Sequence, residues 1–488
     1  MNLGLEHSYA TLPPQCFADV APAAASSPRL LVFNADLAAD LGLDAALLQH
    51  AATLFSGMEL PGDARPIAMA YAGHQFGNFV PQLGDGRALL LGERRVRNGH
   101  LCDIQLKGSG RTPFSRGGDG RAAVGPMLRE YLISEAMHAL GIPTTRSLAV
   151  IATGERVMRE EPLPGAVLVR VAASHLRVGT FEYFAVRKDH EALRALLNYT
   201  IARHAPELAG AAVPALALLQ WVTHRQASLI AQWLGVGFIH GVMNTDNMAL
   251  SGETIDYGPC AFMDHYDPAT VFSSIDHHGR YAYGNQPAIA QWNLARFAET
   301  LLPLIDADTA IAVQHATHVI QGFPAEFEAR HQQLLRAKLG LASMQEADAT
   351  LANRLLALLH ARRVDFTLAF LHLSSAALGR EQEASLRELL GDAAGLDQWL
   401  DDWRARLQTE TLTPAERHAA MRRTNPAFIP RNHLVEAALT AASERNDLAP
   451  FETLLAVVQR PFADHPGHEN WMLPPRDDQR IPATYCGT

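Results

Sequence analysis

The sequence predicts an α+β protein with two lobes, a small one rich in strands followed by a large helical one. Between about residues 80 and 185, short apolar runs alternate with glycine-bearing turns, as in "RALLLGE", "DIQLKG", "SLAVIATGE" and "AVLVRVA". From about residue 190 onward, nearly every segment has the period of a helix. This pattern predicts a lobe of about five strands and one helix, packed on a larger helical lobe. That order is the layout of a protein-kinase-like fold.

One helix interrupts the strand-rich region. In "AAVGPMLREYLISEAMHALGIP", apolar residues recur at helical spacing from Val124 to Leu140, and Gly141 with Pro143 ends the pattern. The helix therefore lies between the second and third of the four quoted strand runs.

Composition changes along the chain indicate four regions. Residues 1–66 are rich in Pro and Ala and contain one short helical pattern, which Asn34 or Asp36 would cap. We expect an N-terminal extension at 1–66, the strand-rich lobe at 67–187, the helical lobe at 188–325, and a helical C-terminal region with a cysteine-bearing tail at 326–488.

Charge and composition limit the classes of partner. The chain of 488 residues carries 41 Lys plus Arg against 51 Asp plus Glu, a net charge of -10, which argues against broad attraction to nucleic acid or to anionic membranes. The start "MNLGLEHSYATLPPQ" lacks the pattern of a secretory signal, and the longest apolar runs are too short to span a bilayer. We expect a cytoplasmic protein that binds neither nucleic acid nor membrane.

The cysteines exclude two further classes. The chain has four of them, Cys16, Cys102, Cys260 and Cys486, with no C-x-x-C pair. This spacing supports neither a disulfide framework nor a zinc module. A single redox pair remains compatible with it.

The stretch "HGVMNTDNMALSGETIDYGPCAF" is similar to the catalytic segment of a phosphotransferase that has lost its base. Such segments have an H-G-D or H-R-D turn, an Asn that binds metal and a later D-F-G motif. Here His240 and Gly241 are present, Asn247 lies seven residues after the His, and Asp256 begins "DYG". The position of the base is occupied by Val242.

Asn247 and Asp256 are candidate metal ligands. Both supply oxygen atoms, which suit Mg²⁺ or Mn²⁺ bound jointly by protein and nucleotide phosphate. The alternative is a polar turn without ligand.

Two other motifs have the order expected of a nucleotide-binding lobe. Glycines 84 and 86 in "PQLGDGRALLLGE" would let backbone N–H groups approach an anion, although an ordinary hairpin turn explains them equally well. Lys107 ends a strand, and Glu130 follows on the helix 23 residues later, where it could orient the lysine toward phosphates. Both could also be solvated surface residues. Arg170 and Arg177 have no signature of their own and would ordinarily lie at the surface or in ion pairs.

The longer motifs identify a resemblance. With "GDGR", "QLKGSGRTPFSRGGDGRA", "LREYLISEAM", "GVMNTDNMA", "DYGP", "NPAFIPRNHLVE" and a terminal "YCGT", the chain closely resembles the selenoprotein O (YdiU) family over nearly its whole length. The resemblance implies a kinase-like fold that transfers AMP from ATP, or UMP from UTP, to hydroxyl side chains of proteins. It also implies that the nucleotide is bound in the reverse of the kinase orientation, so that the α-phosphate lies beside the base and the metal.

The resemblance assigns roles to individual positions. It implies that Asp246 is the general base, that Asn247 and Asp256 bind the divalent cation, and that Glu130 orients Lys107. The residues that it implies for nucleotide binding are Gly84, Gly86, Arg87, Lys107, Asp119, Gly120, Arg170, Arg177 and Asp256. The family also has a selenocysteine or cysteine near its C-terminus, matched by Cys486, and we expect Cys260 to be its partner in a reversible disulfide, unless Cys260 is simply a buried thiol beside a frayed tail.

The leading hypothesis is therefore a Mg²⁺- or Mn²⁺-dependent protein nucleotidyltransferase that uses ATP or UTP. A γ-phosphate kinase of the same fold and a catalytically inactive nucleotide-binding scaffold are the alternatives. Val242 disfavours the kinase, and a retained metal site disfavours the scaffold.

Overall fold

The structure, a computed structural model, describes residues 1–485. In this part of the chain, nine strands form one antiparallel sheet in the order β2-β4-β7-β8-β11-β10-β3, with β1 beside β7 and β9 beside β11. Two short hairpins, β5-β6 and β12-β13, lie outside it. The strands are β1 (Leu5–Glu6), β2 (Phe17–Asp19), β3 (Arg29–Phe33), β4 (Ile67–Met69), β5 (Gly73–Gln75), β6 (Asn78–Val80), β7 (Ala88–Arg95), β8 (Leu101–Lys107), β9 (Ala122–Ala123), β10 (Arg146–Met158), β11 (Pro162–Ala172), β12 (Phe238–Ile239) and β13 (Ala261–Phe262).

Helices make up most of the remaining chain. They are α1 (Ala35–Asp40), α2 (Leu47–Leu54), α3 (Val124–Ala139), α4 (Val178–Val186), α5 (His190–His204), α6 (Pro214–Gly235), α7 (Gln286–Ile305), α8 (Thr309–Lys338), α9 (Asp348–Arg362), α10 (Phe366–Ala376), α11 (Ala384–Leu390), α12 (Leu396–Leu407), α13 (Pro414–Thr424), α14 (Asn432–Arg445) and α15 (Ala449–Val458). None of the helices within residues 1–485 combines the length and the apolar character needed to cross a membrane.

The four strand runs quoted from the sequence correspond to β7, β8, β10 and β11, and the helix between them is α3. The expected number of about five strands was wrong, because β1, β2 and β3 from residues 1–66 join the same sheet. These strands are two to five residues long, too short to show an alternating pattern. Asn34 caps α1 as predicted, since its side chain accepts a hydrogen bond of 3.0 Å from the Leu37 N–H.

The two faces of the sheet have different surroundings. Ile104 and Leu106 of β8 join a core cluster with Leu37 and Leu47 from the N-terminal helices. Side chains alternate along a strand, so Gln105 and the following Lys107 point to the opposite face. Arg170 pairs with Gln105 in the register of β11 and β8, and it shares that opposite face.

Helix α3 covers this second face. It packs on β10 and β11 on one side and on α14 on the other. Twelve of its sixteen residues are buried, and they include polar and charged residues as well as apolar ones, so the helix is enclosed on most of its sides. Glu130 is among the buried residues, so its charge requires partners inside the protein.

A buried arginine joins three segments of the helical part. Arg431 is 1% exposed, and its guanidinium donates to Asp264 and to Asp365, each at 2.7 Å, and to the Met472 carbonyl. Asp365 also caps α10 by accepting a hydrogen bond from the Leu368 N–H. The arginine therefore holds together the segment after β13, the start of α10 and the chain beyond α15.

We expect Arg431→Met to lower the free energy of unfolding by about 3–5 kcal/mol, because it leaves the buried Asp365 and the partly buried Asp264 without their cation. Denaturant titration followed by circular dichroism measures the change. Arg380→Met is the matched control, since its pair with Asp401 is 71% and 58% exposed and should contribute little. Equal stability of the two variants would contradict the assigned role of Arg431.

Candidate active site

One cleft of about 500 Å³ gathers the predicted site residues. Its walls come from the turn before β7, the end of β8, the loop before β9, the end of β11 and the segment around residues 242–259. The predicted residues that line it are Gly84, Gly86, Arg87, Lys107, Asp119, Gly120, Arg170, Arg177, Asp246, Asn247 and Asp256. Glu130 lies directly behind this wall, in contact with Lys107.

Asp256 lies at the centre of a cluster of cations. Its Oδ1 accepts hydrogen bonds from Lys107 Nζ at 2.7 Å and from Arg170 Nη1 at 2.5 Å, and its Oδ2 accepts one from Arg177 Nη1 at 2.8 Å. Burial alone would favour the protonated acid, but the three cations outweigh it and hold the pKa of Asp256 well below its usual range. Asp256 therefore stays ionised at the bottom of the cleft.

The backbone of Asp256 is also unusual. Its φ is +61°, in the left-handed region that side chains other than glycine rarely occupy. The three charged hydrogen bonds supply a local reason for this conformation, because they fix the direction of the carboxylate. Strained positions of this kind concentrate at functional sites.

Lys107 and Glu130 form the pair anticipated from their order in the sequence. Lys107 Nζ donates to Glu130 Oε2 at 2.6 Å, and both side chains are buried. Arg170 Nη1 also approaches Glu130 at 3.3 Å, and its Nε donates to Gln105 at 3.0 Å. The alternative that Lys107 and Glu130 are solvated surface residues was wrong, because β8, β11 and α3 enclose them.

Arg177 connects this cluster to the segment that carries Asp246. Its Nη1 donates to the Asp246 backbone carbonyl at 2.9 Å as well as to Asp256, and its guanidinium lies 4.5 Å from the centre of the Tyr71 ring. Its buried Nε has no hydrogen-bond partner among residues 1–485. Of the two ordinary roles considered for Arg170 and Arg177, the ion pair is the one that the structure shows, and neither side chain lies at the surface, because both are buried.

Asp246 occupies a different position from Asp256. It lies in the short turn Thr245–Asn247 and is 8% exposed, and its Oδ1 has no hydrogen-bond partner in the described chain. Burial is the main cause that raises the pKa of Asp246, to about 7. Gly73 faces this side chain so closely that a Cβ there would lie 2.5 Å from Asp246 Oδ1.

Asn247 and Asp256 fit a hard cation in their chemistry. The Asn247 amide nitrogen donates to the Val242 carbonyl at 2.9 Å, which leaves its amide oxygen available as a ligand. Within the described residues, no group of three or more His, Cys, Asp or Glu side chains could hold a metal ion by itself. A cation at Asn247 and Asp256 would therefore need further oxygen ligands, as Mg²⁺ and Mn²⁺ take from nucleotide phosphates.

The glycine turn before β7 has a packing role that its sequence does not reveal. Gly84 has φ +73°, and a Cβ at that position would lie 2.4 Å from the Phe114 ring. A Cβ on Gly86 would lie 2.8 Å from the Phe114 carbonyl oxygen. The glycines are therefore required by the loop packed on them, and they also form part of the cleft wall.

The second glycine-bearing turn is held by two residues that also line the cleft, Arg121 and Arg159. Asp119 Oδ2 accepts a hydrogen bond from Arg159 Nη1 at 2.9 Å, and Asp119 Oδ1 accepts one from the Arg121 N–H at 2.9 Å. Gly120 has φ +67°, and a Cβ there would overlap the Gly110 carbonyl. This arrangement keeps the turn at the edge of the cleft.

Sequence reasoning missed several groups in the cleft. Asp85 lies inside the "GDG" turn, yet it is 2% exposed and accepts hydrogen bonds from the Met69 N–H and from Gln105. Burial is the largest of the effects on its acidity and raises the pKa of Asp85 to about 6. An aspartate between two glycines looks like an ordinary turn residue, so the sequence offered no sign of its burial. Tyr71 likewise lacked any motif.

The predicted cysteine pair is only half within the described chain. Cys260 is buried next to Pro259, whose carbonyl accepts a hydrogen bond of 2.5 Å from the Thr484 hydroxyl. Cys486 lies outside the described residues, so the disulfide stays a prediction.

Comparison with known proteins identifies the family of the chain. The family model described as protein adenylyltransferase SelO matches residues 1–459. The chain is 59% identical to a protein nucleotidyltransferase YdiU of Bradyrhizobium sp. (strain BTAi1) over the full length of both proteins. It is 58% identical to a protein of that name from Methylorubrum populi, with 99% of each chain covered, and 56% identical to one from Rhizobium rhizogenes, with 99% and 96% covered. The chain therefore belongs to the SelO family of protein adenylyltransferases.

Proposed function

We propose that the cleft binds ATP and transfers its AMP group to a Ser, Thr or Tyr hydroxyl of a protein, with release of pyrophosphate, and that UTP is the alternative donor. The observation that carries this proposal is the different surroundings of two acids in one cleft, Asp256, whose side chain is 18% exposed, and the buried Asp246. Asp256 is held by three cations, whereas Asp246 has an oxygen with no hydrogen-bond partner in the described chain. Asp256 and its cations are suited to binding a metal ion and phosphates, and Asp246 is suited to accepting a proton.

The three cations suit a polyphosphate. Lys107, Arg170 and Arg177 present fixed N–H donors at the bottom of the cleft, where burial strengthens their attraction for anions. In the reverse orientation expected for this family, Arg170 and Arg177 bind the far phosphates, and Lys107, oriented by Glu130, contacts phosphate as well. The turns that carry Gly84, Gly86, Arg87, Asp119 and Gly120 line the cleft and would contact the nucleotide.

Asn247 and Asp256 would hold Mg²⁺ or Mn²⁺ together with the phosphates. Such a cation, when bound, neutralises negative charge on the phosphates and on the departing pyrophosphate.

Asp246 accepts the proton of the acceptor hydroxyl in this mechanism. The hydroxyl oxygen forms a bond to the α-phosphorus while the bond from that phosphorus to the oxygen bridging to the β-phosphate breaks. Pyrophosphate carries away the electron pair, and the proton moves to the Asp246 carboxylate. A pKa of about 7 suits this role, because a base works best when its pKa lies near the working pH. Arg177 fixes the Asp246 carbonyl and so limits movement of the base.

We also infer that residues 67–187, which supply α3 and all strands of the sheet except β1, β2 and β3, form the small lobe of a kinase-like fold, and that residues 188–325 form the large lobe. The position of the cleft between β8, β11 and the segment of Asp246 supports this division. Residues 1–66 and 326–488 would then be extensions of the two lobes.

Isotope labelling tests the reaction directly. With a protein acceptor, label from the α-phosphate of ATP should become covalently attached, and label from the γ-phosphate should not. Attachment of γ label alone would support a kinase, and ATP binding without attachment of either label would support a scaffold. Asp256→Asn should abolish attachment of the α label, because it removes the negative charge that would bind the metal ion and that organises three cations.

A second test addresses the position of the base. Gly73→Ala should lower turnover about 100-fold, since the added methyl group displaces the Asp246 carboxylate and misplacement by about 1 Å can cost that much. The rate is measured at saturating ATP, with the thermal unfolding midpoint as a check of folding.

Gly210→Ala is the matched control, because a Cβ there would meet nothing within 4 Å. It should leave turnover unchanged. Normal turnover of Gly73→Ala would argue against Asp246 as the base.

A further inference from the structure

Glu182 on α4 lies outside the cleft, but its two carboxylate oxygens hold two segments that form the cleft wall. Its Oε2 accepts a hydrogen bond of 2.5 Å from the Thr245 hydroxyl, and its Oε1 lies 2.5 Å from His74 Nδ1. Thr245 is the residue before Asp246, and His74 belongs to the hairpin β5-β6. The Glu182 side chain is 4% exposed, so these contacts are shielded from water.

The Thr245 hydroxyl is fully engaged in this network. It donates to Glu182 and accepts a hydrogen bond of 2.7 Å from the His74 N–H. A hydroxyl with both functions satisfied has a fixed orientation, and its backbone is fixed with it. The neighbouring Asn244 is held by the same hairpin, because its Oδ1 accepts a hydrogen bond of 3.0 Å from the Phe76 N–H.

A purely structural ion pair does not explain Glu182 well. Among residues 1–485 no Lys or Arg side chain forms an ion pair with it, and its partners are a neutral hydroxyl and a histidine. A buried carboxylate without a strong cation is costly, and an apolar side chain would fill the same space at lower cost. The contact that this carboxylate does make restrains Thr245, the residue before Asp246.

We propose that Glu182 is a positioning residue for nucleotidyl transfer, which holds Asp246 at the acceptor side of the cleft through the Thr245 hydroxyl. This inference rests on the proposed role of Asp246 as the base. Glu182 and Thr245 do not line the cleft, so they should influence the proton-transfer step and leave nucleotide binding intact.

The test compares isosteric variants of Thr245 in the full-length protein. Thr245→Val removes the hydroxyl and should lower kcat about tenfold, the effect of losing one hydrogen bond that holds a catalytic group. Thr245→Ser keeps the hydroxyl and should stay within about twofold of the wild-type kcat. Thr200→Val is the matched control, because that buried hydroxyl donates to the Leu196 carbonyl within its own helix, α5.

Nucleotide affinity separates the positioning role from a general loss of structure, because a general loss of structure would also weaken nucleotide binding. Binding of a non-hydrolysable ATP analogue, measured by titration calorimetry, should be unchanged in Thr245→Val. Glu182→Met should lower kcat at least as much as Thr245→Val, because Glu182 also contacts His74. The loss in the double variant should be well below the sum of the two single losses, since both variants remove the hydrogen bond between Glu182 and Thr245. Additive losses, or a fall in affinity that matches the fall in kcat, would overturn the proposal. If Glu182→Met does not fold, the two Thr245 variants decide alone.

Asp246→Asn in the same assay separates this proposal from the one on which it rests. If Asp246→Asn loses turnover while Thr245→Val keeps the full kcat, only the positioning role is overturned. If Asp246→Asn keeps full turnover, the assignment of the base fails, and the positioning role fails with it.

Discussion

The ion cluster around Asp256 is the constraint on which the rest of the site depends. Lys107, Arg170 and Arg177 come from the end of β8, from β11 and from the residue before α4, and one carboxylate binds all three. Buried cations are costly without an anion, and an anion at this depth is costly without cations. Each element that contributes to the cluster is therefore restrained by the other two, and the cleft keeps its shape as a consequence.

The alternation of side chains along the strands brings the residues of this cluster to one face of the sheet. Gln105 and Lys107 share a face of β8, Arg170 lies opposite Gln105 on β11, and α3 brings Glu130 to the same face. The other face of these strands is an apolar core. A shift of one residue in the pairing of β8 and β11 would exchange the charged face for the apolar one, so the hydrophobic pattern of the strands also specifies the arrangement of the charges.

Much of the fold and of the site could be predicted from local sequence patterns. The other features depend on contacts between residues that are distant in the sequence. The strands β7, β8, β10 and β11 and helix α3 have clear periods, and Lys107, Glu130 and Asp256 stand in motifs. Arg170 and Arg177 lack a motif, so only the family resemblance predicted that they belong to the site. Glu182 and Thr245 are 63 residues apart and meet through tertiary packing alone. The short strands β1 to β3 were missed for the same reason, because pairing with distant strands stabilises them.

The N-terminal residues have a consequence for the sheet as a whole. In the strand order, β2 lies at one end and β3 at the other, so the first 33 residues supply both edges. An edge strand with free N–H and C=O groups can pair with another molecule and start aggregation, and short strands at the edges reduce that risk. β2 thus covers the edge of β4, and β3 covers Ala149–Ala152 of the long β10, so this segment shields these stretches from intermolecular pairing.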